Sequence, residues 1–341
     1  MKRRRFLGTG IVGGLALAAP TLVRAQTRQI LIAGPSAQAK MFETDVQPIV
    51  EKRVGVKIVF DGSISVKHLQ VLEAERSAPT YSLAWMPDTD MITAVEKNLL
   101  EPLDAAKIPN LTKLLPGAFD PRSPWVQMKV ARFSVGINTD RVKPTLAAWA
   151  DLWGPFYRNK VLVPAFQLTQ GPMMLAMAAH LETGKPLAQA QYDVEAGYKR
   201  LRTLKPSILN VFSASPQAIT LLEQGEAYAV VGLFSSVLYP RMRAGVPIDL
   251  PMPREGAFGS PNCLARIAKG PNAELANAVI DAMLDVDVQK IMMERTFDSP
   301  VRGEAGLVPG VIGADKLFAL DPAFWGKERA KIAPGYAAAL A

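Results

Sequence analysis

Strict alternation between β-branched runs and segments of helical period is what most constrains this chain. Residues 28–33 contain Ile30, Leu31 and Ile32 in succession and read as a strand. Gly34-Pro35-Ser36 turns the chain, and Met41, Phe42, Val46, Ile49 and Val50 then recur with a helical period up to a stop at Gly55. Val56-Lys57-Ile58-Val59-Phe60 is the next strand, and a helix is predicted over 66–76. Tyr81-Ser82-Leu83-Ala84-Trp85-Met86 is a third strand, with Pro87-Asp88-Thr89-Asp90 opening another helix. The pattern resumes with a strand over 160–164 and an apolar helix over 170–181. A helix follows from Ser215 to Gly225, with Ser215 as cap and Pro216 in the first turn. Residues 226–234 then form a strand apolar on both faces. Residues 270–341 read as mostly helical, broken by Pro and Gly over 299–313. Such alternation specifies an α/β fold with a mixed, mainly parallel sheet flanked by helices.

In sheets of this kind ligands sit beyond the carboxyl ends of the strands, where helix N-termini present unpaired N–H groups. The loops at those ends are 34–37, 61–65, 87–90, 165–171, 213–217 and 234–237, rich in Ser, Thr, Asp and Gln. That is chemistry for holding a polar solute, although the same residue types also serve as ordinary caps and turns.

The first residues are an address label. Met1-Lys2-Arg3-Arg4-Arg5-Phe6-Leu7 is a basic start, a glycine-interrupted apolar stretch runs to Val23, and Val23-Arg24-Ala25 supplies a cleavage shape after Ala25. The stretch is too short and polar for a membrane span of about 20 residues. Arg3-Arg4-x-Phe6-Leu7 is similar to a twin-arginine export signal, the general secretory route being the alternative. The product is expected in the periplasm. Five cations lie in residues 1–25 and no acid, so the net charge of +8 falls to +3 for the mature chain. Basicity therefore belongs to the leader, and nucleic acid is excluded as a partner.

Enzyme chemistry finds little support. Cys263 is the one cysteine, and a thiolate needs a base in reach and a lowered pKa, neither of which its sequence context supplies. Two histidines, His68 and His180, make no zinc-like cluster. Ser36, Ser63, Ser213 and Ser215 lack a Gly-x-Ser-x-Gly context. Met173-Met174 and Met292-Met293 read as core. No catalytic residue, metal or cofactor is expected.

An ordered set of motifs carries a resemblance. Trp85-Met86-Pro87-Asp88-Thr89-Asp90, Asn98-Leu99-Leu100-Glu101-Pro102-Leu103-Asp104 and Phe133-Ser134-Val135-Gly136-Ile137-Asn138-Thr139-Asp140 come in turn. Trp149-Ala150-Asp151-Leu152-Trp153, Leu221-Leu222-Glu223-Gln224-Gly225-Glu226 and Pro253-Arg254-Glu255-Gly256-Ala257 follow. In order and spacing they resemble the family 1 extracellular solute-binding proteins of ABC importers, in the spermidine/putrescine and iron(III) receptor branch. The resemblance implies a two-lobed periplasmic binding protein type II fold: residues 26–136 plus 260–300 as one lobe, 137–259 plus 301–341 as the other. It places the crossings at Ile137-Asn138-Thr139 and near 262–267. It implies a monomer that closes on a small-molecule solute and delivers it to permease subunits with a cytoplasmic ATPase.

Departures from the branch bear on the solute. Where its polyamine receptors place an acid and an aromatic, this chain has Asn262 and Ser260, which disfavours spermidine. No Tyr-Tyr pair occurs, as iron(III) receptors would require, and Tyr239 stands alone. The expected ligand is a small polar or anionic solute, sugar phosphates and phosphonates included, with charge from Lys67, Lys129 or Arg241. The expected contacts are Ser36, Ser63, Asp88 and Thr89 in the first lobe, and Thr169, Gln170, Ser213, Ser215, Phe234 and Ser235 in the second, with Asn262 at the hinge. The alternatives are a polyamine receptor, or an enzyme built on the same fold around Cys263.

Overall fold

The computed structural model describes residues 29–341, so the leader expected over 1–25 lies outside the described residues. Strands β1 (Gln29–Pro35), β2 (Lys57–Ser63), β3 (Leu83–Pro87), β4 (Leu100–Glu101) and β5 (Trp125–Asn138) come first. They alternate with helices α1 (Ser36–Met41), α2 (Gln47–Val54), α3 (Ser65–Ala74) and α4 (Asp88–Glu96). Next come β6 (Val161–Pro164), α5 (Gln170–Thr183), α6 (Leu187–Ala190), α7 (Val194–Arg202), β7 (Ile208–Phe212) and α8 (Ser215–Glu223). Then follow β8 (Ala229–Phe234), α9 (Ser235–Arg243), β9 (Ile248–Asp249) and β10 (Phe258–Ile267). The chain ends with α10 (Ala273–Met283), α11 (Val286–Thr296), β11 (Ser299–Pro300) and α12 (Pro322–Leu340).

One sheet runs in the order β2-β1-β3-β10-β5-β8-β6-β7. Its two arms, β2-β1-β3 and β8-β6-β7, are each parallel, as strand–helix alternation dictates. Antiparallel β10 and β5 join them. Around the first arm, Ile30, Ile32, Trp85, Met128 and Leu264 pack on one face with α10 and α11, and Ala33, Met86, Cys263 and Ala265 on the other with α3 and α4. Around the second arm, Val135, Ile137 and Val163 pack against α5, α7 and α12, and Leu162, Val230 and Leu233 against α8 and α9. The two lobes thus have separate cores and share two strands.

Ile137 of β5 packs in the second core. Ala131 and Phe133 already belong to the second core, and Phe133 pairs with both Phe258 of β10 and Phe234 of β8. Asn262 faces Lys129 and Pro87, within the first-lobe part of the sheet.

Two local expectations change for backbone reasons. The single helix over 37–53 is split by a wide turn at Phe42–Val46, because Pro48 near the start of α2 has no N–H to continue the ladder. Ser215 is the first residue of α8 rather than its cap: Ala214 holds the extended cap position, and no side chain bonds there. Gly55 does end α2 as expected, at φ 68, its N–H donating to the Glu51 carbonyl. Gly232, at φ 80, has the Gln170 side chain where a Cβ would stand, so only glycine lets α5 approach β8 so closely.

Where the lobes meet on the α9 side, a buried polar network joins them. Lys129 Nζ donates to Asp298 Oδ2 at 2.6 Å and to Gln38 Oε1 at 3.1 Å. Ser235 of α9 donates to Asp298 Oδ1 at 2.7 Å and accepts the Arg132 N–H at 3.1 Å. Lys129 and Asp298 side chains are 2% and 1% exposed, so neither charge has water to fall back on. Asp298→Ala leaves Lys129 buried and unpaired and should cost about 3–5 kcal/mol, whereas Lys129→Met with Asp298→Leu restores most of the loss. Urea midpoints check this; an Asp298→Ala chain as stable as its parent refutes it.

Candidate functional site

Beside the crossing strands, the lobes leave a cavity of about 150 Å3. α4 contributes Asp88, Thr89, Asp90 and Thr93, and the start of α5 contributes Thr169, Pro172 and Met173. Gly259 and Ser260 of β10 also line it, and α12 adds Trp325, Gly326 and Arg329. Each wall follows from local sequence. Pro87 ends β3 in extended geometry, and α4 begins at once with Asp88 and Asp90 in its first turn, where carboxylates suit the helix dipole. α12 is started by Asp321, whose side chain accepts the N–H groups of Ala323 and Phe324, with Pro322 in the first turn. Its far end is anchored in the second core by Tyr336, whose hydroxyl donates to the Pro164 carbonyl at 2.9 Å.

The charges around the cavity are poorly compensated. Burial pushes the Asp88 carboxyl up to about 6; the Thr89 N–H, donating to Asp88 Oδ1 at 2.8 Å, pulls it down, and Asp90 adds to the rise. Burial also raises Asp90, against lowering by the Ser65 hydroxyl and Arg329. Burial lowers the Arg329 guanidinium, against the charge of Asp90. Arg329 Nη2 donates to the Gln167 carbonyl at 2.6 Å, which ties α12 to the loop before α5. Among the described residues, none of Asp88, Asp90 and Arg329 makes an ion pair within 4.0 Å.

The residues expected from sequence divide. Asp88, Thr89 and Thr169 line this cavity together. Gln170 is buried beneath it, packed over Gly232. Asn262 accepts the Trp85 indole N–H at 3.3 Å on the strand that forms the floor. Ser235 is committed to the buried network, and Phe234 rests on Phe133 with ring centroids 5.1 Å apart. Ser36 is exposed with its backbone against Gly62, and Ser63 ends β2; neither lines the cavity. Ser213 and Ser215 follow β7, the edge strand, and are also outside it. Of the charges offered from sequence, Lys129 is spent on Asp298, Arg241 pairs with Glu223 at 2.8 Å, and Lys67 is exposed. Asp90, Ser260 and the α12 residues were missing from the expected set. Asp90 had a signal, its place in the first turn of α4; Arg329 had none.

Comparison with known proteins now adds to this geometry. Residues 90–327 match the model of a family described as bacterial extracellular solute-binding protein. The chain belongs to that family. Among curated relatives, it is 27% identical over 251 residues to the spermidine/putrescine-binding periplasmic protein of Salmonella typhimurium, covering 71% of this chain and 70% of that one. Among solved structures, a putative extracellular solute-binding protein from Bordetella parapertussis is similar at TM-score 0.78 and 18% identity, over 92% of this chain and 99% of that one. The spermidine/putrescine ABC transporter substrate-binding protein PotD from Streptococcus pneumoniae is similar at TM-score 0.74 and 16% identity, over 92% of this chain and all of that one. These neighbours share the two-lobed periplasmic binding protein fold described above.

The family is one of transport receptors, and the environment of Cys263 agrees. Burial pushes its thiol well up, and the charge of Asp88 pushes it further, which is opposite to what a nucleophile needs. His68 is buried, with Nε2 3.1 Å from the Gly34 carbonyl and its ring edge-on to Tyr81. Iodoacetamide should therefore label Cys263 only after unfolding; labelling of the native protein at the rate of a free thiol contradicts this.

Asp88 gives a second prediction. Its folded pKa, about 6, lies above the unfolded value of 3.8, so the fold holds the proton more tightly. The stability it contributes is present at low pH and is lost as pH rises from about 4 through about 6. Asp88→Asn should stabilise the ligand-free protein at pH 7, by about 1 kcal/mol, and flatten that pH dependence. Thermal unfolding between pH 4 and pH 8 tests both; an unchanged profile in the variant rules out Asp88 as the source.

Proposed function

We propose that this protein is the periplasmic receptor of an ATP-driven importer, taking one small polar organic solute into the cavity between α4 and α5. The observation that carries the proposal is that one cavity draws its walls from both lobes and its floor from a strand the lobes share. A solute held there touches both lobes at once, so its binding energy favours the closed arrangement. Permease subunits with a cytoplasmic ATPase would then receive the closed form. On this reading the leader is removed after Ala25 by the twin-arginine or general secretory route. The lobes divide on β5 near Phe133 and on β10 near Phe258, and the working unit is a monomer. Asp88, Thr89 and Thr169 are proposed as direct contacts, joined by Asp90, Ser260 and Arg329.

Gly326 allows a clean test. It is an exposed residue of α12 on the cavity wall, and a Cβ there meets nothing within 4 Å. Gly326→Leu should gain up to about 1 kcal/mol of helix stability while its side chain fills the cavity mouth. The mature chain, stripped by unfolding and refolding, is screened by thermal shift against sugars, sugar phosphates, phosphonates, amino acids and polyamines. A true solute at about 100 times its Kd stabilises the parent by about 2.7 kcal/mol, and Gly326→Leu abolishes that gain without loss of fold. A solute that stabilises both proteins equally binds elsewhere, and the proposed site is wrong.

A further inference from the structure

The charges facing the cavity are arranged by lobe. Asp88 and Asp90 stand on α4, in the first lobe, and Arg329 stands on α12, whose anchoring residues belong to the second core. No other lining residue is charged. Arg329 is held in place through main-chain carbonyls of Gln167 and Phe166, and it feels the charge of Asp90 without an ion pair within 4.0 Å among the described residues. Asp88 has one N–H partner, that of Thr89. The rest of the lining mixes apolar Met173, Pro172, Leu320 and Trp325 with the hydroxyls of Thr89, Thr93, Thr169 and Ser260.

Each simple solute class fails against this arrangement. A phosphate or other dianion would satisfy Arg329 but face two carboxylates in a site of reduced dielectric. A diamine would satisfy the carboxylates but bring its second ammonium to the guanidinium. A neutral sugar would leave all three charges half-buried and unpaired. A molecule with one ammonium and one carboxylate, separated by methylenes, satisfies both poles and covers the apolar part of the lining. Size narrows the choice further. The cavity is about 150 Å3, close to one that holds a benzene-sized guest, which suits a short chain and is too small for spermidine.

Resting on the receptor reading above, we propose that the solute is a short ω-amino acid, its ammonium between Asp88 and Asp90 and its carboxylate on Arg329. The opposed charges sit on opposite lobes, so one zwitterion bridges them, whereas a solute with a single charge engages only one lobe's charge. Selectivity and closure then have the same origin.

Calorimetric titration of the stripped mature chain tests this with matched probes: 4-aminobutanoate, 5-aminopentanoate, glycine, 1,4-diaminobutane, succinate, glucose 6-phosphate and spermidine. At least one of the two ω-amino acids should bind about tenfold or more tighter than every other probe. Arg329→Gln should weaken the ω-amino acids by about 30-fold or more while leaving 1,4-diaminobutane unchanged or improved. Asp90→Asn should weaken both. Thermal melts of each variant establish that it is folded, and Arg329→Lys, which keeps the charge, should recover part of the loss. Tightest binding by the diamine, the dianion or the sugar phosphate overturns the proposed class and leaves the receptor reading standing. Tightest binding by glycine overturns the separation of the two poles. Failure of the ω-amino acids to bind overturns the class outright, and failure of the full solute screen as well removes the receptor reading with it.

Discussion

Lys129 and Asp298 meet at 2.6 Å in a part of the molecule that water does not reach. Taking two charges out of water costs several kcal/mol each, and their attraction compensates only if the remaining hydrogen-bonding capacity is also filled. Here Gln38 of α1 and Ser235 of α9 fill it. Trp85 stands beneath the ammonium, its ring centre 5.7 Å away. The pair therefore works only when β5, α1, the end of α11 and the start of α9 are all in place, and α9 belongs to the other lobe. It fixes how the lobes meet beside the crossing strands. Around the cavity, Asp88, Asp90 and Arg329 have hydrogen-bond partners but, among the described residues, no ion pair within 4.0 Å. That contrast separates the paired charges where the lobes meet from the unpaired charges that line the cavity.

Topology explains why the cavity lies where it does. Parallel arms place every strand's carboxyl end, and so the following helix N-terminus, at the same edge of each lobe. Because β10 and β5 run antiparallel between the arms, the two edges face each other across the shared strands. α4 and the start of α5 thereby become opposite walls although they are far apart in sequence. The family resemblance and the physical argument arrive at this cleft independently: one through ordered motifs, the other through strand direction.

The sequence was informative where structure is local. β1, β2, β3 and their helices could be read from β-branched content, helical period and stops such as Gly55, since each depends on neighbours in the chain. Asp88, Thr89 and Thr169, which line the cavity, share a local pattern in which a strand end leads into a helix start. Ser213 and Ser215 have the same pattern and lie outside the cavity, because position in the sheet, at the edge strand β7, is not written in the segment itself. Arg329 shows the opposite failure. Nothing near it in sequence marks it, and it reaches the site because Asp321 starts α12 and Tyr336 anchors it 162 residues away from Met174 in the second core. Lys129 looked available to a ligand until its partner, 169 residues further on, removed it.

A half-buried carboxylate without a cation costs stability. Asp88 and Asp90 share one helical turn, are each raised by burial, and each raises or is lowered by neighbours that stop short of pairing. The helix dipole of α4 offsets part of this cost, at most about 1–2 kcal/mol. On the proposed reading, the rest would be recovered when the solute's ammonium enters between them. On the proposed reading, what the ligand-free protein gives up by keeping these charges unpaired is what a solute carrying both charges would recover.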